Sequence, residues 1–342
     1  MECWLHATTD PSGLCNQLTA VYAYAKVALV LNCTTVVLGP MFSRLHFDQS
    51  FSGFYNIQSG RHALPFSAFF DLEHYQAYWQ RHGLQVIQMD PNELANITLV
   101  HLPGFQKRTY SETELTLLAL HHSAPSTAVE QLRVLEFVPS LVATYNFHQG
   151  APEYIDLRMA SESLRPSPNI ASAVDALITQ LGQPYIAVHL RLEVDMITAV
   201  PEFLEALAEF VNAVLVKQSE ERKPVYLATG LFQSGMDTTR GDIVALTFRH
   251  AGIEIQHRES IARSAMADGD SSLSDLLSSM MPEQLAMVDL QMMRHACDTI
   301  LPTRKVSSFS YMVQRLRNLD AGGPISFDGI PAESLVLRNW GI

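Results

Sequence analysis

Basic residues are scarce in this chain. Lysine and arginine number 23 against 35 aspartates and glutamates, for a formal net charge of −12 over 342 residues. Broad nucleic-acid binding needs a basic face, so that class is excluded. An anionic small ligand held by a few local arginines is not. Cysteine is rarer still. Cys3, Cys15, Cys33 and Cys297 form no Cys-x-x-Cys pair, and no histidine spacing completes a zinc site, so no metal centre is expected. Four cysteines allow two disulfides but do not fix a redox compartment. The N-terminus lacks the basic start and apolar run of a signal peptide, and no stretch reads as a transmembrane span. A Gly-x-Gly-x-x-Gly fingerprint is missing as well, which excludes the standard dinucleotide loop. No short internal repeat is visible.

What remains is globular in balance, with 47% hydrophobic and 17% charged residues. The length exceeds one ordinary core, so two domains are expected, 1–160 and 161–342, with the boundary near 150–168. Trp4-Leu5-His6-Ala7 reads as a first strand. A turn-rich loop, Asp10 to Gln17, follows. Leu18, Val21, Tyr22, Ala25 and Leu29 then recur at helical spacing, predicting a helix from about Leu18 to Leu31 with Asn32 as its stop. Thr35 to Leu38 reads as the next strand, completing a βαβ unit. The segment Phe42–Phe70 is aromatic and irregular. Val86–Met89 and Leu99–Leu102 read as short strands, Leu115–His121 and Ser126–Leu135 as helices, and Leu157–Asn169 as a connector. Two glycosylation sequons, Asn32-Cys33-Thr34 and Asn96-Ile97-Thr98, carry weight only in a secreted protein.

The second half repeats the alternation. A helix is predicted from Pro168-Asn169, with Ile170, Val174, Ile178 and Leu181 on one face. Pro184 to Leu190 is a short apolar run that turns polar at His189, Arg191, Glu193 and Asp195. Such a run reads as a buried strand, whose carboxyl end faces the ligand crevice in an open α/β sheet. Arg191 there offers a rigid fork of donors suited to phosphate, or a structural pair for Glu193 or Asp195. Further strands are predicted at Pro224–Gly230, Ile253–Ile255 and Asp298–Pro302. Helices are predicted over Pro201–Lys217 and through Leu285–Met293. Ser260–Ser279, rich in Ser, Ala, Asp and Gly, reads as a mobile loop. Ser307 or Ser308 stands at the start of a helix carrying Phe309, Met312, Val313 and Leu316. Either serine suits a plain cap or a phosphate contact there.

Three motifs lie in order: Gly13-Leu14-Cys15-Asn16-Gln17, His189-Leu190-Arg191 and Ser307-Ser308-Phe309. Together they resemble the GDP-fucose O-fucosyltransferase family. His189-Leu190-Arg191-Leu192-Glu193-Val194-Asp195-Met196 is similar to the plant branch's His-Leu-Arg-Phe-Glu-Lys-Asp-Met, and Leu164 to Ile170 resembles the segment before it. Val306 to Ser310 is nearer the animal Notch-type enzymes. The resemblance spans about Trp4 to Arg317.

The resemblance implies an α/β GT-B-like fold, two Rossmann-like domains facing a central cleft, with the N-terminal one on the acceptor side and the C-terminal one binding the GDP-sugar. It implies metal-independent, inverting transfer of fucose from GDP-fucose to a hydroxyl of a protein Ser/Thr or a glycan. No cofactor is implied, and the expected partners are GDP-fucose and that acceptor. Carried over by position, Arg191 would bind the diphosphate and stabilise its departing charge, and His189 would contact the donor. Asn16, within Gly13, Leu14 and Cys15, would lie near the fucose. Ser307, Ser308 and Phe309 would hold the β-phosphate and neighbouring nucleotide atoms. Asp289 resembles an acidic residue near the guanine, whose N1–H and N2–H₂ are donors. Cys15 departs from the plant pattern, and the first loop has no glutamate base. Asp10 or Asp195 is the candidate replacement, or no side chain serves, and Arg304 or Lys305 is a further candidate diphosphate contact. The family implies a Golgi or ER lumen location, although this sequence shows no targeting segment. Two alternatives stand beside the transferase: a non-catalytic GDP-sugar-binding scaffold, and a related enzyme using another deoxysugar.

Overall fold

The computed structural model describes residues 3–7, 9, 13–44, 61–89, 99–101, 133–137, 157–182, 184–190, 203–218, 222–232, 238–302, 308–321 and 335–336. The chain divides into two units, Met1–Ser43 with Arg61–Pro168, and Arg44–Gly60 with Asn169–Ile342. Each holds a five-stranded parallel sheet.

In the first unit, β1 (Cys3–Ala7), β2 (Thr35–Leu38), β5 (Gln85–Gln88), β6 (Leu99–His101) and β7 (Arg133–Phe137) pair in the order β5-β2-β1-β7-β6. β3 (Met41–Arg44) and β4 (Arg61–Leu64) form a separate two-stranded sheet, so part of the segment read as irregular is regular. Helix α1 covers Leu14–Val30 and begins four residues earlier than its apolar stripe suggests. Gly13 is its extended N-cap, and the Gln17 amide already bonds the Gly13 carbonyl at 3.3 Å. The helix stops at Asn32, which takes a left-handed φ of 55°, a conformation asparagine tolerates better than most residues. Helix α2, Leu72–Arg81, had no counterpart in the sequence reading. Asp71 caps it by accepting from the His74 amide at 2.9 Å, and Tyr75, Tyr78 and Trp79 bury its aromatic face.

Two further expectations fail here. Arg133–Leu135 was expected to close a helix but lies in β7. Its partner is the first strand, with Cys3 opposite Arg133 and Leu5 opposite Leu135, and that long-range ladder overrides local helical spacing. Leu157–Asn169 is no plain connector either. It contains α3 (Leu157–Ser163) and the start of α4 (Pro168–Leu181). The expected helix at Leu115–His121 lies outside the described residues.

In the second unit, β8 (Ile186–His189), β9 (Val225–Ala228), β10 (Ile255–Gln256), β11 (Asp298–Pro302) and β12 (Leu335–Val336) pair in the order β10-β9-β8-β11-β12. Alternate residues of β8 and β9 face opposite sides, as a pleated strand requires. Ile186, Val188, Val225 and Leu227 pack with Leu207, Phe210 and Val214 of α5 (Phe203–Lys217) and with Val244 and Phe248 of α6 (Thr238–His250). On the other face, the Tyr185 hydroxyl donates to the Met292 carbonyl at 2.8 Å and the Tyr226 hydroxyl to Asp289 at 2.6 Å. Both acceptors lie on α9 (Pro282–His295). Burial on both faces explains why these strands read as unbroken apolar runs.

Ser260–Ser279 is mostly helical, contrary to the mobile loop expected. It contributes to α7 (Arg258–Ala267) and holds all of α8 (Ser272–Ser278). Ile261, Ala262, Ala265, Leu273 and Leu277 are buried, so an apolar stripe among the small polar residues decides the conformation. The last helix among the described residues, α10 (Ser308–Asp320), begins where its serine-rich start predicts.

Candidate functional site

The sheet of the second unit changes direction beside β8. The chain runs outward from β8 through β9 to β10, then returns to place β11 on the other side of β8. In open α/β sheets this switch point, at the carboxyl ends of the strands, is where ligands bind. His189 is the last residue of β8, and α10 follows β11. The topology brings His189 and Phe309 together there, although 120 positions separate them.

The contact is direct. Nδ1 of His189 lies 2.8 Å from the Ser310 hydroxyl, and the His189 and Phe309 ring centroids are 4.5 Å apart at a 35° tilt. His189 is 6% exposed and Ser310 is equally buried. The first turn of α10 contains no acidic residue. The positive end of a helix dipole favours a negative or polar ligand, and no carboxylate in this first turn competes with one.

Asp289 has a different setting. It accepts from Tyr226 and forms an ion pair with Arg258, which is itself 1% exposed. Arg258 Nε also lies 2.8 Å from Glu259, whose second oxygen is 3.0 Å from His257 Nδ1. Burial pushes Asp289 up to about 6, against the pull of Arg258 and Tyr226. Burial would raise Glu259 too, but Arg258 and His257 bring it down to about 2. Both oxygens of Asp289 are thus engaged inside a buried cluster that ties β9, α7 and α9 together. In this arrangement Asp289 braces the unit internally through Tyr226 and Arg258.

The first motif opens α1. Leu14 and Cys15 are 4% and 3% exposed and turn into the core of the first unit, so their side chains serve packing. Gly13 is half-buried at the helix cap. Gln17 acts as a clamp. Its Nε2 donates to the Phe42 carbonyl at 2.8 Å, its Oε1 accepts from the Phe42 amide at 2.7 Å, and the Thr9 hydroxyl is 3.2 Å from the same Oε1. Asn16 lies in the first turn of α1 and Ser308 opens α10, but only their backbones are described. Asp10, Arg191, Asp195, Arg304, Lys305 and Ser307 lie outside the described residues.

A cavity of about 670 Å³ runs beside β10, lined by Phe232, Asp242, Arg249, Glu254, His257 and Arg263 among others. None of the site residues expected from sequence lines it. The Phe232 ring stacks on His257 at 3.9 Å and lies against Gly241, where an added Cβ would meet it at 2.9 Å. Among the described residues there is no group of three His, Cys, Asp or Glu side chains able to hold a metal ion, and no helix long and apolar enough to cross a membrane.

The family model for GDP-fucose protein O-fucosyltransferase matches residues 7–320. The chain belongs to that family. Its fold is correspondingly shared with solved fucosyltransferases. POFUT1 in complex with GDP-fucose superposes with a TM-score of 0.54 at 13% identity, over 95% of this chain and 96% of that one. A second POFUT1 structure, in complex with GDP, gives 0.52 at 15% identity, over 96% and 98%. The fucosyltransferase NodZ from Bradyrhizobium gives 0.52 at 14%, over 92% and 94%. A search of curated protein sequences returned no match to the chain. The fold is thus α/β and GT-B-like, with two Rossmann-like units, and the protein is a fucosyltransferase-family enzyme.

Among residues outside the expected site, Ser310 contacts His189, and Tyr226 and Arg258 contact Asp289. The signal for Ser310 in the sequence was its place directly after Ser308-Phe309, in the first turn of a helix that follows a parallel strand.

Proposed function

We propose that this enzyme transfers fucose from GDP-fucose, with inversion and without a metal ion, to a hydroxyl of a protein Ser/Thr or a glycan. Support comes from family membership over residues 7–320. The observation that carries the reading is the His189–Phe309–Ser310 group at the switch point of the second sheet. An aromatic ring, an imidazole and a helix N-terminus converge there, which suits a nucleoside diphosphate.

In this reaction the acceptor oxygen attacks C1 of fucose on the face opposite GDP. The C1–O bond to the β-phosphate breaks, and GDP leaves with the electron pair. Arg191 neutralises the charge gathering on the leaving diphosphate. The acceptor's proton passes to Asp10, to Asp195 or to solvent. Asn16 sits near the sugar, and Ser307 and Ser308 with Phe309 hold the phosphate end.

Calorimetric titration of GDP, GDP-fucose and UDP tests the donor assignment. Only the guanine ligands should bind, and Arg191→Ala should weaken them by about 30-fold or more. A folded protein that binds no GDP overturns the reading. Turnover that persists in EDTA supports metal independence. Unchanged turnover across pH in Asp10→Ala and Asp195→Ala would remove both carboxylates as the base. The acceptor is sought by offering folded protein modules and oligosaccharides in parallel. Cys33 is disulfide-bonded, which fits an oxidising compartment and so a Golgi or ER lumen location. Finding the enzyme in the cytosol would contradict that placement.

A further inference from the structure

The cavity beside β10 takes no part in the donor reading. β10 ends the strand order of its sheet and pairs with β9 alone among the described strands. Ile255 of this edge strand lines the cavity, and two helices flank it. Asp242, Ala245 and Arg249 recur at i, i+3 and i+7 on α6, so they share one face. Ser260 and Arg263 stand three apart on α7 and share another. Gly252 also lines the space, with a φ of 74°, and a Cβ built there would meet nothing. The volume, about 670 Å³, is that of an ordinary small-molecule site.

Part of the polar lining is already engaged. The Ser260 hydroxyl holds the His257 amide and carbonyl at 2.9 and 2.8 Å. The His257 imidazole lies 3.0 Å from Glu259 and stacks on Phe232. Four charges remain. Asp242, Arg249, Glu254 and Arg263 are exposed, and their side chains form no ion pair or hydrogen bond among the described residues. Elsewhere in this unit opposite charges meet, at Arg258–Glu259, Lys217–Asp298 and Arg294–Asp320. Here two guanidiniums and two carboxylates share one concavity and stay apart. An anion drawn to the arginines meets both carboxylates, and a cation drawn to the carboxylates meets both arginines. An apolar ligand would take water from four charges and return nothing. A neutral sugar suits both signs, since each hydroxyl can accept from a guanidinium or donate to a carboxylate. Its C–H faces match the apolar lining of Ala245 and Ile255. A zwitterion matches the charges too, but the chain belongs to a family of sugar transferases. We propose that this cavity binds a neutral oligosaccharide, as a carbohydrate site separate from that of the nucleotide sugar. The inference goes beyond the donor reading and does not depend on the His189 group.

Methyl spectra of the isoleucine-labelled full chain, recorded without nucleotide, test it. The probes are the tetrasaccharides of cellulose, chitin, xylan and β-galactan. At least one should bind and shift the Ile253 and Ile255 methyl signals, assigned by their loss in Ile253→Val and Ile255→Val. Arg249→Met and Glu254→Gln, both replacements of exposed side chains, should each weaken that probe about tenfold. Ala245→Trp fills the space, leaves every charge in place and should abolish the shifts. If no neutral probe moves those methyls, or if affinity is indifferent to Arg249→Met and Glu254→Gln, the proposal is overturned. A short peptide of alternating lysine and glutamate that moves them where the sugars do not also overturns it, because the ligand is then zwitterionic. A failure of GDP to bind leaves these results standing and removes only the donor reading.

Discussion

The two units solve the same problem with different internal ties. Each is a five-stranded parallel sheet whose first strand lies at the centre. In the first unit the polar knot beside that strand is neutral. The Gln17 carboxamide holds both backbone groups of Phe42 and reaches the Thr9 hydroxyl. In the second unit the knot is ionic, with Arg258 between Asp289 and Glu259 and Tyr226 completing it. A neutral clamp costs little to bury and does not titrate. An ionic cluster is costly to desolvate and is intolerant of losing a member. The difference places acid sensitivity in the unit that carries His189 and α10.

The sharpest way to break that contrast is to remove the central cation. Arg258→Met strands the buried carboxylate of Asp289 and the half-buried one of Glu259, so a loss of about 3–5 kcal/mol is expected. Denaturant midpoints should show it, and hydrogen-exchange protection should fall in peptides of α7, α9 and β9 and hold in β1 and α1. Next in size is the acid limb. Glu259 is held at about 2 in the folded protein against an ordinary 4.5, so the unfolded chain binds more protons between those values. Its stabilisation is present above 4.5 and is lost as pH falls toward 2, about 3 kcal/mol in all. Glu259→Gln should remove that component, and urea titrations at a series of pH values would read the difference. Asp289 works with the opposite sign. Raised to about 6, it favours the folded state below its ordinary 3.8 and loses that contribution as pH rises through 6.

In the first unit, Gln17→Leu keeps the volume but leaves the Phe42 amide and carbonyl without their clamp, at about 1–3 kcal/mol. Its unfolding free energy should change with pH just as the wild type's does, which is the neutral half of the comparison. The smallest effect belongs to Arg317. Its guanidinium donates to the carbonyls of Met293, Arg294, Ala296 and Cys297 and so closes the end of α9. Arg317→Ala should cost about 1–2 kcal/mol and fray the last turn of α9 by hydrogen exchange.

The sequence was legible where one period ruled. β1, β2, β8, β9 and β11, and the helices beginning at Pro168, Phe203, Pro282 and Ser308, follow apolar runs or stripes that local spacing reveals. It misled where a distant partner decides. Arg133–Leu135 becomes a strand because β1 waits beside it, and the polar Ser260–Ser279 becomes helical because Ile261, Ala265, Leu273 and Leu277 have a core to enter. The helix stripe of α1 hid its first turn, since Leu14 and Cys15 looked like loop residues until both were seen buried. In the site, His189 and Phe309 stood out as parts of ordered motifs. The bond from His189 to Ser310, and the engagement of Asp289 by Arg258, are tertiary facts that spacing along one strand or helix does not encode.

The order of pairing in the first sheet bears on how this protein is made. β1 emerges first and finds β2 soon afterwards, yet its other edge is reserved for β7. Every strand of the sheet must therefore be synthesised before the earliest one is flanked on both sides. At ordinary elongation rates the interval between β2 and β7 lasts roughly 5–20 s. Throughout it, Cys3–Ala7 offers an unpaired row of amides and carbonyls to any neighbouring nascent chain. The apolar N-terminal strand is thus a demand on chaperones that the finished enzyme no longer displays.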